Sequence, residues 1–232
     1  MVFVLTNDDG IDAPGIWALQ AALNLALGDA GIVVAPQAHH SGCSHQVTSN
    51  RPIQVIQRAV GEYAIAGTPA DCTRLALRHL CPEAKFVLSG INAGGNLGAD
   101  VYVSCTVAAV REAALNRVPG IAFSHFMQRG RTIDWEVAAR LAAKALAAVL
   151  VLPGKPGTFW NVNLPHLPPD APDPELVFCP LCTQPLPNEF RIEGDSFIYA
   201  GDYPTRARDP GADVDVCFGG NISITEIRLW DL

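Results

Sequence analysis

Short apolar blocks alternate with stretches of helical periodicity over roughly the first 165 residues. Val2–Leu5, Ile32–Ala35, Phe86–Ser89, Gly120–Phe123 and Phe159–Val162 are blocks of four, mostly apolar, as in strands buried on both faces. Ile16, Leu19, Leu23 and Leu27 share one face of a first helix. Thr68 followed by Pro69 carries the N-cap and N1 signature of a second. Thr106–Leu115 predicts a third helix, and Asp134–Leu150 a fourth. Ile53–Gln57 and Tyr63–Ala66, parted by a short segment around Gly61-Glu62, read as an inserted hairpin. This βαβ rhythm predicts an α/β fold with a mainly parallel sheet covered on both faces.

The pattern changes after Pro165. Residues 165–187 hold eight of the 18 prolines, so no helix persists there. Phe190–Ile192 and Phe197–Tyr199 flank Gly194-Asp195 as a hairpin, and Asn221–Leu229 alternates like a strand. The expected division is therefore a core at 1–165 and a proline-rich arm with β-hairpins at 166–232. Such an arm packs on a neighbouring subunit, which makes a homodimer or homotetramer the expected assembly.

Composition narrows the function classes. Charged residues make up 17% and apolar ones 49%, the balance of a globular protein. A net charge of −7 argues against wrapping nucleic acid, and a phosphate-bearing ligand would have to be met by a local site or a metal. Leu141–Leu152, the longest apolar stretch, is short and contains Lys144, so it does not span a membrane. Met1 leads directly into a strand and seven cysteines are scattered, which suggests reduced thiols in the cytoplasm.

The candidate chemistry begins at Asn7-Asp8-Asp9-Gly10. The first strand delivers two adjacent carboxylates to the sheet's carboxyl edge, where ligands bind in open α/β sheets. Two such charges repel unless a cation lies between them, and a hard divalent ion with oxygen ligands is the simplest choice. Alternate strand residues face opposite ways, so the chain must already be turning here, and Gly10 permits the turn. The competing reading is a polar loop in which Asp9 or Asp12 only caps the next helix. Three more loops fall at the same edge, at 36–45, 90–98 and 103–106, each rich in Gly, Ser or Asn. A helix starting near Ser104 adds positive dipole character. Together these features suggest a phosphate substrate.

The motifs resemble those of the SurE family of survival proteins, 5′/3′-nucleotidases and acid phosphatases. The resemblance rests on Thr6-Asn7-Asp8-Asp9-Gly10 with Ala13-Pro14-Gly15-Ile16, and on Val34-Ala35-Pro36 with Ser41-Gly42. It continues through Gly67-Thr68-Pro69-Ala70-Asp71-Cys72, Ser89-Gly90-Ile91-Asn92-Ala93-Gly94 with Asn96-Leu97-Gly98, and Ser104 with Thr106-Val107-Ala108-Ala109. Trp160-Asn161-Val162-Asn163-Leu164-Pro165 completes the core, with a weaker tail match at Gly211-Ala212-Asp213 and Ile222-Ser223-Ile224-Thr225.

The resemblance implies a Rossmann-like three-layer core and a C-terminal arm used in dimers or tetramers. It implies hydrolysis of nucleoside 5′- and 3′-monophosphates with one divalent ion per subunit, Mg²⁺ or Mn²⁺. By motif the metal ligands are Asp8, Asp9, Ser41 and Asn92, all oxygen donors. Asn92, Asn96, Ser104, Thr106 and Gly42 surround the phosphate, and Asp8, Asn96 and Ser104 serve catalysis. Water on the metal and Asp8 itself both remain open as nucleophile. Two positions depart from the family pattern. Cys105 replaces a glycine, which suggests a crowded phosphate pocket, and Glu226 follows Thr225 where a proline is usual. A catalytically weakened nucleotide-binding protein and a broader phosphatase or exopolyphosphatase are the alternatives.

Other tempting residues take plainer readings. His39, His40 and His45 share a polar loop, facing substrate or solvent, more readily than they form a zinc site. Cys179 and Cys182 lack a second pair and read as free thiols in the arm. Gly94–Gly98 lacks dinucleotide-loop spacing. Arg111 and Glu112 read as a surface face or an intersubunit pair.

Overall fold

The first strand, β1 (Phe3–Thr6), shows how this chain builds two cores at once. Phe3 and Leu5 enter one apolar cluster and Val4 the other, because successive strand residues face opposite ways. The split repeats at Val33 and Val34 in β2 (Ile32–Pro36), and at Leu88 and Val87 in β5 (Phe86–Ala93). Burial on both faces explains why these strands read as unbroken apolar blocks. The fold is that of a computed structural model, which describes residues 1–168 and 171–230. Pro169 of the proline run, Asp170, and Asp231 and Leu232 at the end of the expected arm lie outside the described residues.

The remaining strands of the main sheet are β3 (Val55–Ala59), β4 (Glu62–Ile65), β6 (Gly120–His125), β7 (Thr158–Leu164), β8 (Leu176–Phe178) and β11 (Ile222–Arg228). Their order is β3-β4-β2-β1-β5-β6-β7-β11-β8. From β4 to β7 every pairing is parallel. β3 runs antiparallel to β4, so the predicted hairpin forms one edge of the sheet. Helices α1 (Pro14–Leu27) and α5 (Trp135–Leu150) cover one face, and α2 (Pro69–Leu75), the short α3 (Asp100–Val103) and α4 (Cys105–Leu115) the other. This is the three-layer α/β arrangement expected from the sequence. β1 leads through α1 to β2 on one side, while β5 lies on its other side. A crevice therefore opens beyond the carboxyl ends of β1 and β5, at the topological switch point.

Local chemistry sets the helix starts. Thr68 and Asp71 form a complete capping box at α2, and Asp71 also accepts bonds from the amide and hydroxyl of Thr48 at 2.9 and 2.7 Å. α1 starts from Ala13 with Pro14 at its first position and no side-chain cap. The capping reading of Asp9 and Asp12 thus fails: Asp12 pairs with Arg58, and Asp9 faces the crevice. Gly15 lets α1 press against β5, since a Cβ there would meet the Ile91 carbonyl oxygen at 2.0 Å.

The C-terminal segment divides. β9 (Phe190–Glu193) and β10 (Ser196–Tyr199) form the predicted hairpin around Gly194-Asp195, as a separate two-stranded sheet. β8 and β11, by contrast, join the main sheet, with β11 antiparallel to β7. Ile222 and Ile224 enter the main core, so this part of the tail completes the fold and does not stand off from it as an arm. Between them, α6 (Asp213–Phe218) packs Val214 and Cys217 with Leu97 and Phe126 in a third cluster beside the 94–98 loop. Among the described residues no helix is long and apolar enough to cross a membrane.

Candidate active site

The turn after β1 is clasped by Asn7. Its side-chain amide donates to the Gly10 carbonyl at 2.7 Å, and its side-chain oxygen accepts from the Gly10 N–H at 3.2 Å. Gly10 takes φ +102°, which turns the chain as expected. Asp8 is nearly buried, 7% exposed, and its Oδ1 accepts a 2.6 Å bond from the Thr106 hydroxyl. Burial pushes the Asp8 carboxyl up to about 6; the Thr106 bond opposes this and the negative charge of Asp9 adds to it. Asp9 is more open. Its Oδ2 accepts from the Ala93 N–H at 3.3 Å, and its Oδ1 lies 3.2 Å from Nδ1 of His39. The other ring nitrogen of His39 meets the Ser41 hydroxyl, so the imidazole bridges two expected metal ligands.

The third loop is set by a register break in β5. Ser89 pairs with Ala122 and Asn92 with Ser124, so the strand carries an extra residue that re-aims Asn92. The Asn92 amide nitrogen donates to the Gly94 carbonyl at 2.8 Å. Asn96 is clamped through its backbone: its N–H donates to Asn163 Oδ1 at 2.8 Å, and its carbonyl accepts from Asn161 and Asn163 at 2.8 and 3.0 Å. Its side chain donates to the Ser124 hydroxyl at 2.7 Å. Ser104 is the N-cap of α4, accepting from the Val107 N–H at 3.1 Å. That bond uses an oxygen lone pair and leaves the hydroxyl proton available to a ligand.

Asp8, Asp9, Ser41, Gly42, Asn92, Asn96 and Ser104 line one cavity of about 290 Å³. Thr106 does not. Its side chain is fully buried behind Asp8, with the hydroxyl committed to the carboxylate, which makes that side chain a support for Asp8. His39, Asp100 and Cys105 also line the cavity, with Ala93, Gly95 and Val103. The Cys105 thiol, pushed up to about 12 first by burial, rests on the Cys43 sulfur, at 3.2 Å. A larger cleft, about 520 Å³, opens beyond β6 and β7 among His125, His166, Arg131 and Arg140, and holds none of the predicted site residues.

Two readings of the surroundings change. Glu112 is no surface residue. It is buried and takes bonds from His45 at 2.9 Å and Arg74 at 3.3 Å, because the polar loop after β2 folds back onto α4. His45 is thereby a structural tie of that loop, and Arg111 donates to the Val101 carbonyl. Asn161, Asn163 and Asp100 carry no expected role, and His39 reads from sequence only as part of a polar loop facing substrate or solvent. For the two asparagines a signal existed: amides inside a buried strand require partners. The tail also reaches the site, as Arg206 donates to Asp100 at 3.0 Å and the Gly98 N–H donates to Asp213 at 2.7 Å.

Comparisons with known proteins bear on the family and the fold. The sequence model of the family described as Survival protein SurE matches residues 3–185. A protein of Nostoc sp., provisionally named a 5′-nucleotidase, is 58% identical over 99% of this chain and 100% of its own length. The 5′-nucleotidase SurE of Geobacter sulfurreducens is 42% identical over 99% of this chain and 88% of its own. The crystal structure of the SurE protein from Aquifex aeolicus superimposes with a TM-score of 0.86 at 31% identity, covering 100% of this chain and 94% of the other.

Proposed function

The chain belongs to the SurE family, and from that premise and the donor set of its pocket we propose that it is a divalent-metal-dependent nucleotidase, releasing phosphate from nucleoside monophosphates. The observation that carries this reading is the meeting of two carboxylates, a hydroxyl and an amide with a helix N-terminus in one cavity. The residues fit a hard cation. Asp8 is desolvated next to Asp9, an arrangement that favours the proton in a metal-free pocket and that a divalent ion would reverse. Asp8, Asp9, Ser41 and Asn92 would hold the ion. When bound, it polarises a phosphoryl oxygen and offsets charge developing on the phosphate. The two carboxylates balance the charge of a divalent ion, so attraction for an anionic substrate comes from its open coordination positions and from the N-terminus of α4.

The remaining residues position that substrate. The first-turn N–H groups of α4 and the free proton of the Ser104 hydroxyl are donors for phosphate oxygens. Asn96 presents its side chain from a backbone pinned on both its N–H and its carbonyl, so it is preorganised. Thr106 orients Asp8 by holding one carboxylate oxygen. The Cys105 thiol rests on Cys43, which weighs against the reading of a pocket disabled by crowding.

The assembly we propose is a homodimer or homotetramer joined through the β9–β10 hairpin. In support, Phe190, Ile192, Phe197 and Tyr199 are each more than half exposed on a small sheet of its own. Seven free cysteines suit a reducing compartment such as the cytoplasm. Phosphate release from a panel of nucleoside 5′- and 3′-monophosphates and short polyphosphate, with Mg²⁺, Mn²⁺ or EDTA, tests the activity. Metal-dependent release from nucleotides, stopped by EDTA, is the expected result. No release under any metal would overturn it, and preference for polyphosphate would reassign the substrate.

A further inference from the structure

Cys43 and Cys105 belong to segments 62 residues apart, yet their sulfurs lie 3.2 Å from each other. Cys43 follows Ser41 and Gly42 in the loop after β2, and Cys105 follows Ser104 as the first residue of α4. The two thiols therefore join two segments that line the phosphate pocket, Ser41 and Gly42 in one, Ser104 and Cys105 in the other. Cys105 is buried and Cys43 is half-buried, so Cys43 is the sulfur that a reagent from solvent meets first.

We propose that Cys43 and Cys105 are a dithiol modification site, which a small-molecule disulfide of the glutathione class converts into an intramolecular disulfide that closes the phosphate pocket. The site's chemistry is independent of the nucleotidase reading; its effect on turnover rests on that reading. Cys43 sulfur attacks one sulfur of the small disulfide, whose S–S bond breaks and releases one thiolate. Cys105 sulfur then attacks Cys43 Sγ in the mixed disulfide, and the second small thiolate leaves. The two cysteine protons end on the two released thiols; the protein sulfurs are oxidised and the small disulfide is reduced. A disulfide has sulfurs about 2.0 Å apart, so the two must close by about 1 Å from their present 3.2 Å. Gly42, at φ +73° with open space around it, lets the loop follow. The bond shortens the span between the two segments and draws Ser41 and Gly42 toward the start of α4.

The test equilibrates the full chain in a series of oxidised and reduced glutathione buffers, followed by alkylation, mass measurement and peptide mapping. The expected result is loss of two alkylatable thiols and a cross-linked peptide pair holding Cys43 and Cys105. Inorganic phosphate binding, read by calorimetry, is expected to disappear on oxidation and return with reductant. Nucleotide hydrolysis should fall about 100-fold, the scale of an ångström misplacement in an active site. Cys43→Ser should form no cross-link and keep, after oxidation, whatever rate it had before. Both thiols still alkylated across the series, a glutathione adduct on one cysteine only, or a cross-link that leaves phosphate binding unchanged would each overturn the proposal. Cross-linking with loss of phosphate binding, in a protein that never hydrolyses nucleotides, would sustain it and sink the nucleotidase reading instead.

Discussion

Asp8 shows in one residue how this site trades stability for chemistry. Its carboxyl is buried beside Asp9, so without a metal its pKa stands at about 6 against an ordinary 3.8. A raised folded-state value favours the fold fully below the unfolded pKa, and that contribution is lost as pH rises through about 6. Asp8→Asn is therefore expected to stabilise the metal-free protein by about 1–3 kcal/mol at pH 7–8, while abolishing metal-dependent phosphate release. Urea unfolding in EDTA across pH checks the first half: the gain should vanish near pH 4, and parallel stability profiles for the two proteins would refute it. Thr106→Val removes the bond that opposes the upward shift, so the Asp8 carboxyl should titrate still higher in the metal-free protein, read by carboxyl-carbon NMR. Hydrolysis should drop by about 10–100-fold, with Thr106→Ser recovering most of it. Asp8 and Asp9 were legible as a pair because adjacent charges at a strand end demand a reason. The placement of Thr106 behind Asp8 was not, since a motif cannot say which side of a carboxylate a hydroxyl approaches.

Elements carry the site through loops that are pinned from behind. The 94–98 loop has few apolar side chains of its own; β7 fixes it through Asn161 and Asn163, and the tail fixes it through Asp213. Asn163→Ala leaves the Asn96 N–H without its partner, an expected loss of about 1–3 kcal/mol in stability. Because Asn96 then loses its orientation while the metal ligands stay, kcat should fall more than KM rises. A steady-state comparison of the two parameters decides this, and an unchanged kcat would remove Asn163 from the support of the site. At this scale the parallel strands and the four main helices were legible, because apolar blocks, Thr68-Pro69 and Asp134 are local signals. The destination of β11 was not. Its alternation of Ile222 and Ile224 with Ser223 and Thr225 looks like a half-exposed hairpin strand, yet all four are buried, because β11 lies in the sheet between β7 and β8 and helices pack against it.

For the whole molecule, the β9–β10 hairpin is the part that the core leaves uncovered. Phe190→Glu with Phe197→Glu is expected to shift the protein to a smaller species in size-exclusion chromatography with light scattering, with the core's unfolding midpoint unchanged; an unchanged mass would move the interface elsewhere. The sequence by itself determined the layered α/β architecture and the edge where chemistry gathers, and its family motifs named eight site residues, seven of which line one pocket. The architecture and the edge follow from strand periodicity, helix signals and charges that need a partner, all of them short-range; the individual polar residues follow from the resemblance. Only the tertiary structure decided that Thr106 stands behind Asp8, that Glu112 and His45 tie a loop down, that the tail re-enters the sheet, and that Cys43 meets Cys105. Each of these is a pairing between segments far apart in the chain, and such pairings are fixed by how layers pack and not by any local pattern.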